Sequence, residues 1–146
     1  MAITSAICNS FKQEILEAEH YFTASTGNTF NLALYDSDAS LGAGTTAYTT
    51  SEEITNTSGT AYTAKGKALT SVTPTLDSST AVCDFADVSW TSASFTARGC
   101  LIFNDSHSTD ASVCAIDFGG DKTATSGTFT IQFPAASATA AIIRIA

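Results

Sequence analysis

The sequence predicts a mainly β protein, a β-sandwich or barrel of jelly-roll type with about eight short strands and one short amino-terminal helix. Three observations support this. Apolar and polar residues alternate over many short stretches, Thr, Ser and Ala dominate the composition, and turn-forming residues separate the stretches. A series of short alternating segments is typical of sandwiches and barrels.

The centre of this prediction is the segment 95–118. Alternate residues are apolar or small from Phe95 to Phe103, and the same period returns from Cys114 to Phe118 after a polar connection. This pattern predicts a β-hairpin with a long tip. We expect the hairpin to end at Gly119 and the residues that follow it.

The amino-terminal segment carries the only helix that the sequence predicts. Apolar residues recur at three- and four-residue steps over residues 7–22. Ser10 is suited to cap a helix that begins there, and Thr4 or Ser5 to cap one that begins earlier. We expect Gly27 and the asparagine after it to stop the helix.

The remaining β segments follow from alternation and turn signals. Further strands are predicted over residues 30–34, 67–73, 80–87, 128–133 and 140–145, with a short β-prone piece at 45–50. We expect Pro74 to end the second of these strands, because proline cannot donate to a sheet. The segment 54–66 is rich in Thr, Ser and Gly, and it predicts a long ordered loop that is anchored by Tyr62 and reaches a neighbour.

Length and charge limit the classes of protein. The 146 residues predict a single domain, with an arm and helix at 1–26 and a β body at 27–146. Six basic and 14 acidic residues give a net charge of -8, so direct binding to nucleic acid is not expected. The chain has neither an apolar run of the roughly 18 residues that a membrane span needs nor a recognisable signal peptide, which predicts a cytosolic product.

Four cysteines, Cys8, Cys83, Cys100 and Cys114, are predicted to be free and buried, because a cytosolic setting disfavours disulfides. A disulfide between Cys100 and Cys114 remains open, since a tight hairpin register would place these two residues nearly opposite each other. The spacing of the four residues does not suit a zinc site or a redox motif.

Two segments resemble catalytic or metal sites without meeting their requirements. Asp105, Ser106 and His107 are the residue types of a hydrolase triad, but adjacent loop positions point in different directions, and we expect a solvated hairpin tip. The segment 36–38 resembles the start of a calcium loop, yet the twelfth position of that loop is Ala47, and we expect an Asx turn. The sequence therefore predicts no enzyme, cofactor or metal.

Two basic residues in apolar strands suggest surface contacts instead. Arg98 lies within the central hairpin, and Arg144 lies near the end of the last strand, in a chain with six basic residues. Each either lies at the surface beside a carboxylate or pairs across an interface, and the sequence leaves both alternatives open.

Several segments carry a resemblance to a known family. They are AICNSFKQE at 6–14, LALY at 32–35 with TTAY at 45–48, ARG at 97–99 before LIFN at 101–104, IDFG at 116–119 and IIRIA at 142–146. Over nearly its whole length the chain resembles a family of small virion proteins encoded by tailed phages. The resemblance implies a structural role in the virion and carries no catalytic or ligand residues.

A chain of this size and β content is similar to the cement or decoration proteins that bind the outer face of an icosahedral capsid as dimers or trimers. The resemblance thus implies the major capsid protein as partner, assembly in the bacterial cytoplasm and a place on the capsid surface. Residues expected to contact partners are Phe11, Phe22, Tyr62, Arg98, His107 and Arg144.

Two alternatives remain open. One is a neck, tail or fibre component of the same virion. The other is a carbohydrate-binding module for host attachment, which would need a row of exposed aromatic rings. We expect the candidates for such a row to pack inside instead; they are Tyr35, Tyr48, Tyr62 and Trp90.

Overall fold

The computed structural model describes residues 2–55 and 59–146, which form a β-sandwich of two antiparallel sheets. The elements are β1 Ala6–Ile7, α1 Asn9–Glu14, β2 Phe30–Tyr35, β3 Lys67–Ala68, β4 Ser71–Asp77, β5 Thr80–Phe85, β6 Val88–Asn104, β7 Ala111–Ile131 and β8 Ile143–Ile145. The larger sheet has the order β1-β7-β6-β2-β3, and the smaller has the order β4-β5-β8. The predicted mainly β fold with one short amino-terminal helix is confirmed, as a sandwich and not a closed barrel.

The predicted hairpin is present but is longer than its sequence pattern indicated. β6 and β7 pair from Val88 opposite Ile131 to Asn104 opposite Ala111. The prediction that the hairpin ends near Gly119 is wrong, because residues 118–121 form a bulge opposite Arg98 and pairing resumes beyond it. Gly119 has a φ of +74°, which suits the turn that a bulge requires.

Strand β2 is an interior strand of the larger sheet, between β6 and β3, and it belongs to the hydrophobic core. It pairs with β6 along its whole length, and five of its six residues are buried. The ring of Phe22 stacks on that of Phe30 with centroids 4.3 Å apart. The ring of Phe85, from the smaller sheet, lies 5.7 Å from that of Phe30. The strand is therefore more deeply buried than a half-buried alternating pattern implies, because both of its faces are covered.

The predicted helix over 7–22 is much shorter in the structure. α1 ends at Glu14, Ser10 lies inside it rather than at its cap, and Ala18 has a left-handed φ of +62°. The chain then becomes irregular, and both His20 and Phe22 are buried. Tertiary packing of these two rings outweighs the helical spacing, so Gly27 is not what stops the helix.

The predicted strand at 67–73 is divided between the two sheets. Lys67 of β3 pairs with Leu32, whereas β4 pairs with β5 in the other sheet. Pro74 lies inside β4, at a bulge in an edge strand, and does not end it. The β-prone piece at 45–50 forms one isolated bridge, between Ala47 and Ala111. Residues 56–58 of the predicted loop at 54–66 lie outside the described residues.

All four cysteines are free and buried, as predicted. Cys100 pairs with Ile116 and Cys114 pairs with Ile102, so the two thiols are offset across the hairpin and do not face each other. Burial raises the pKa of Cys83 and of Cys100 to about 12, and it raises the pKa of Cys114 well above 9.0. These thiols stay protonated in the folded chain at a pH where an exposed thiol ionises.

We expect the free energy of unfolding to fall as the pH rises above about 9. In that range the unfolded chain releases thiol protons that the folded chain retains. The contribution of the thiols to the free energy of unfolding is therefore fully present below their ordinary pKa, and it is lost as the pH rises to their raised pKa. Each retained proton contributes a slope of about 1.4 kcal/mol per pH unit. Urea unfolding at a series of pH values measures the slope. Cys100→Ala should reduce the slope by the contribution of one proton. An unchanged slope would contradict the raised pKa of Cys100.

Candidate functional site

An apolar groove of about 650 Å³ lies along the outer edge of β7. Its larger apolar lining residues come from β7 and from the chain on either side of residues 134–141; they are Ile116, Phe118, Phe129, Ile131, Phe133 and Ile142. A volume of this size is typical of binding clefts.

The groove exists because the sandwich is open on this side. β1 pairs with β7 only at Cys114 and Ala115, so from residue 116 onward the described residues place β6 on one side of β7 and no strand on the other. Core side chains therefore reach the surface there. Phe118 lies 6.4 Å from the buried ring of Phe129, between ring centroids, and is itself only partly buried.

The rim of the groove is polar and carries one cation. Lys122 lines it together with Thr123, Thr128 and Thr130. The bulge at 118–121 distorts this edge, and bulged edges discourage uncontrolled pairing of strands between molecules. The surface is thus suited to receive apolar side chains of a partner while it resists indiscriminate aggregation.

Three of the residues predicted to contact partners are buried in the chain itself. Phe11, Phe22 and Tyr62 are 3%, 7% and 1% exposed. The rings of Phe11 and Phe22 meet edge to face with centroids 6.0 Å apart. Apolar residues at helical spacing in a short amino-terminal segment serve the core here, so the expectation that these rings meet a partner is corrected.

The two predicted arginines lie at the surface. Arg98 donates from Nε to Asp121 Oδ1 at 2.8 Å, within the bulge of its own hairpin. Arg144 is exposed and donates from Nη1 to the backbone oxygen of Ala138 at 2.7 Å. Of the two alternatives left open for Arg98, the structure contains the contact with a carboxylate of the same chain.

The hairpin tip does not assemble a catalytic triad. His107 Nδ1 lies 3.0 Å from Thr109 Oγ1, and Ser106 Oγ accepts the backbone N–H of Thr29 at 2.8 Å. Asp105 and Asp110 both bind Lys65 Nζ, at 2.9 and 2.8 Å. These carboxylates raise the pKa of Lys65, Asp110 first. The triad residue types therefore have separate structural partners.

Glu53 is a buried carboxylate that the sequence reasoning did not single out. It accepts the hydroxyl of Tyr48 at 2.5 Å, the hydroxyl of Tyr62 at 2.7 Å and the backbone N–H of Lys65 at 2.7 Å. Tyr62 also receives the backbone N–H of Leu34 at 3.0 Å. Burial raises the pKa of Tyr62, and the bond to Glu53 raises it further. This network ties the segment that carries Tyr62 and Lys65 to strand β2, and its role is structural.

Three carboxylates lie together where the segment 36–38 approaches the turn at Glu52. Ligand atoms of Asp36, Asp38 and Glu52 lie within 4.8 Å of one another. Asp36 Oδ1 accepts the backbone N–H of Asp38 at 2.9 Å, which is the Asx turn that the sequence predicts. Asp38 and Glu52 are exposed, and exposed acidic groups are common without an ion, so we assign no metal site here.

The aromatic residues considered for a carbohydrate surface pack inside as expected. Tyr35, Tyr62 and Trp90 are at most 1% exposed, and Tyr48 stacks on Phe103 with centroids 4.8 Å apart. Tyr21, which was not among these predicted candidates, is 50% exposed. Its signal was the alternation of His20, Tyr21 and Phe22, which is typical of an extended segment.

Comparison with proteins of known family or structure adds nothing to this geometry. None of the helices in the described part of the chain is long and apolar enough to cross a membrane. Searches of protein-family models, curated proteins and solved structures found no match to this chain.

Proposed function

We propose that the protein is a structural component of a tailed-phage virion. More specifically, we propose a cement or decoration protein that binds the major capsid protein on the outer face of the expanded capsid. The observation that carries the proposal is the apolar groove along the open edge of β7, a partly exposed extension of the core that a partner would cover. The family resemblance supplies the virion setting.

A second apolar surface supports a role in assembly. Leu76 of β4, Ala81 of β5 and Ile145 of β8 stand in one cross-strand row, and Leu76 and Ile145 are 72% and 59% exposed. A row of this kind adds a contact area separate from the groove. One copy with two apolar surfaces is suited to join neighbouring subunits or a second copy in a dimer or trimer.

The function follows from linkage between binding and conformation. A protein that binds the expanded shell and not its precursor stabilises the expanded state by its binding free energy. An interface of standard size buries roughly 1,600 Å² in total, and repetition over a symmetric shell multiplies a modest contact. The buried Glu53 network and the closely packed core supply a rigid body that transmits this restraint.

Stoichiometry in purified virions tests the proposal. We expect quantitative mass spectrometry to find this polypeptide in numbers comparable to those of the major shell protein. A copy number far below that of the shell protein would instead assign the chain to the neck, tail or fibre. Virions that lack the polypeptide would overturn the proposal altogether.

Capsid binding tests the groove itself. Phe118→Ala removes a partly buried ring from the groove, and we expect it to weaken binding to expanded capsids at least about tenfold, because central aromatic residues carry much of an interface's binding energy. Co-sedimentation with capsids that lack the polypeptide measures the effect. Leu16→Ala is the matched control, since Leu16 is 88% exposed and lies outside the groove. Equal occupancy by both variants would exclude the groove as the capsid contact.

A further inference from the structure

A polar cleft of about 410 Å³ lies between the chain that follows α1 and the tip of the central hairpin. It is separate from the apolar groove and shares no lining residue with it. Its lining includes Glu19, Tyr21, Asn28, Ser106, His107 and Ser108. The cleft is thus lined by residues that carry a carboxylate, an amide, hydroxyls, an imidazole and an aromatic ring.

Tyr21 is held in an exposed position at this cleft. Its backbone N–H donates to Asn28 Oδ1 at 2.7 Å, and its backbone oxygen accepts the N–H of Asn28 at 2.7 Å. Its hydroxyl lies 3.4 Å from Thr26 Oγ1. The neighbours His20 and Phe22 are buried at 6% and 7% exposure, which fixes the chain on both sides. The ring is therefore presented to solvent by a constrained backbone and does not fold back onto the core.

The polar groups of the cleft retain hydrogen-bonding capacity. Asn28 Oδ1 accepts two bonds, while its amide nitrogen donates to no atom of the described residues. Ser106 Oγ accepts the N–H of Thr29, which leaves its hydroxyl proton free to donate. The Glu19 side chain is 49% exposed, and its Oε2 lies 3.5 Å from Nε2 of His107. The cleft thus offers both donors and acceptors.

Buried residues behind the cleft hold its walls in place. Asn104 is fully buried; its Nδ2 donates to the backbone oxygen of Glu19 at 3.1 Å and to Asn28 Oδ1 at 3.2 Å. Its Oδ1 accepts the backbone N–H of Ser106 at 3.0 Å. One side chain therefore joins three wall residues of the cleft. A ligand would meet groups that are already positioned, which lowers the ordering cost of binding.

We propose that this cleft binds a neutral saccharide, with one pyranose ring stacked on Tyr21 and its hydroxyls bonded to Glu19, Asn28 and Ser106. A pyranose has an apolar face of C–H groups and a rim of hydroxyls that both donate and accept, which matches an exposed ring beside mixed polar groups. The carboxylate of Glu19 and the net charge of -8 disfavour an anionic ligand. This site goes beyond the capsid role and does not depend on it.

NMR titration of the full chain tests the site. The probes are the methyl glycosides of glucose, galactose, mannose and N-acetylglucosamine at millimolar concentrations. We expect at least one of them to shift the amide signals of Tyr21, Asn28 and residues 106–108, with saturable binding. Tyr21→Ala should weaken that binding about tenfold, and Tyr21→Phe should retain it, because stacking needs the ring and not the hydroxyl.

Leu16→Ala is the matched control, since it removes another exposed apolar side chain from the same segment outside the cleft. It should bind like the parent chain. Both Tyr21 and Leu16 are at the surface, so unfolding of a variant is not expected, and its amide spectrum reports this directly. The absence of shifts for every glycoside, or equal binding by Tyr21→Ala, would overturn the proposal.

Discussion

Replacement of Gly66 by alanine is expected to prevent stable folding, with a loss of about 4 kcal/mol or more in the free energy of unfolding. Gly66 has a left-handed φ of +66°, and a Cβ built on it would lie 1.8 Å from the backbone oxygen of Leu32 and 2.7 Å from its carbonyl carbon. Leu32 belongs to β2, which is paired on both sides and has no room to move. Urea or thermal unfolding of Gly66→Ala measures the loss.

Gly44→Ala is the matched control for this experiment. A Cβ at Gly44 meets nothing within 4 Å, and its φ lies outside the left-handed region. We expect its free energy of unfolding to stay within about 0.5 kcal/mol of the parent value. If the two alanine variants had the same stability, the close approach of Gly66 to β2 would be refuted.

Removal of the buried carboxylate of Glu53 is expected to cost about 3 to 5 kcal/mol in the free energy of unfolding. Glu53→Ala leaves the hydroxyls of Tyr48 and Tyr62 and the backbone N–H of Lys65 without their shared acceptor in a low-dielectric site. Hydrogen bonds to a charged acceptor are stronger than neutral ones, which sets this effect above that of an ordinary side-chain deletion. Urea unfolding at neutral pH measures it.

Two variants make the Glu53 result specific. Glu17→Ala removes an exposed carboxylate whose described bond is to Gln13, and it should change stability by no more than about 0.5 kcal/mol. Tyr62→Phe removes one donor from the network, so its effect should not add to that of Glu53→Ala in the double variant. Additive losses would show that Glu53 and Tyr62 act independently, against the network described above.

Local pattern was sufficient where neighbours in the chain decide the structure. The alternation from Phe95 to Phe103 and from Cys114 to Phe118 predicts the central hairpin, and the turn at 36–38 follows from the reach of an aspartate side chain to its own backbone. Both depend on period two or on contacts two residues apart. The four buried thiols also follow from the sequence alone, since their chemistry suits an apolar interior.

Local patterns predicted the wrong structure where a contact between distant segments outweighs the local preference. Residues 7–22 have helical spacing, yet the burial of His20 and Phe22 against the sheet stops the helix at Glu14. The glycines at 119–120 are a strong turn signal, yet pairing of β7 with β6 resumes beyond them and converts the turn into a bulge. In both cases the gain from tertiary packing exceeds a local preference of about 1 kcal/mol.

The two candidate sites also depend on contacts between segments that are distant in the sequence. The strict alternation at Phe129 and Ile131 indicates a half-buried strand. The open edge of β7 instead depends on β1 beginning at Ala6, opposite Ala115, which the pattern of β7 does not predict. Tyr21 is held in its exposed position by Asn28, seven residues away, and by the burial of His20 and Phe22 on either side of it. The sequence by itself determined the class of fold and the central hairpin, because these depend on near neighbours. The tertiary structure decided which aromatic rings are buried and which face a partner, because that depends on segments that meet only after folding.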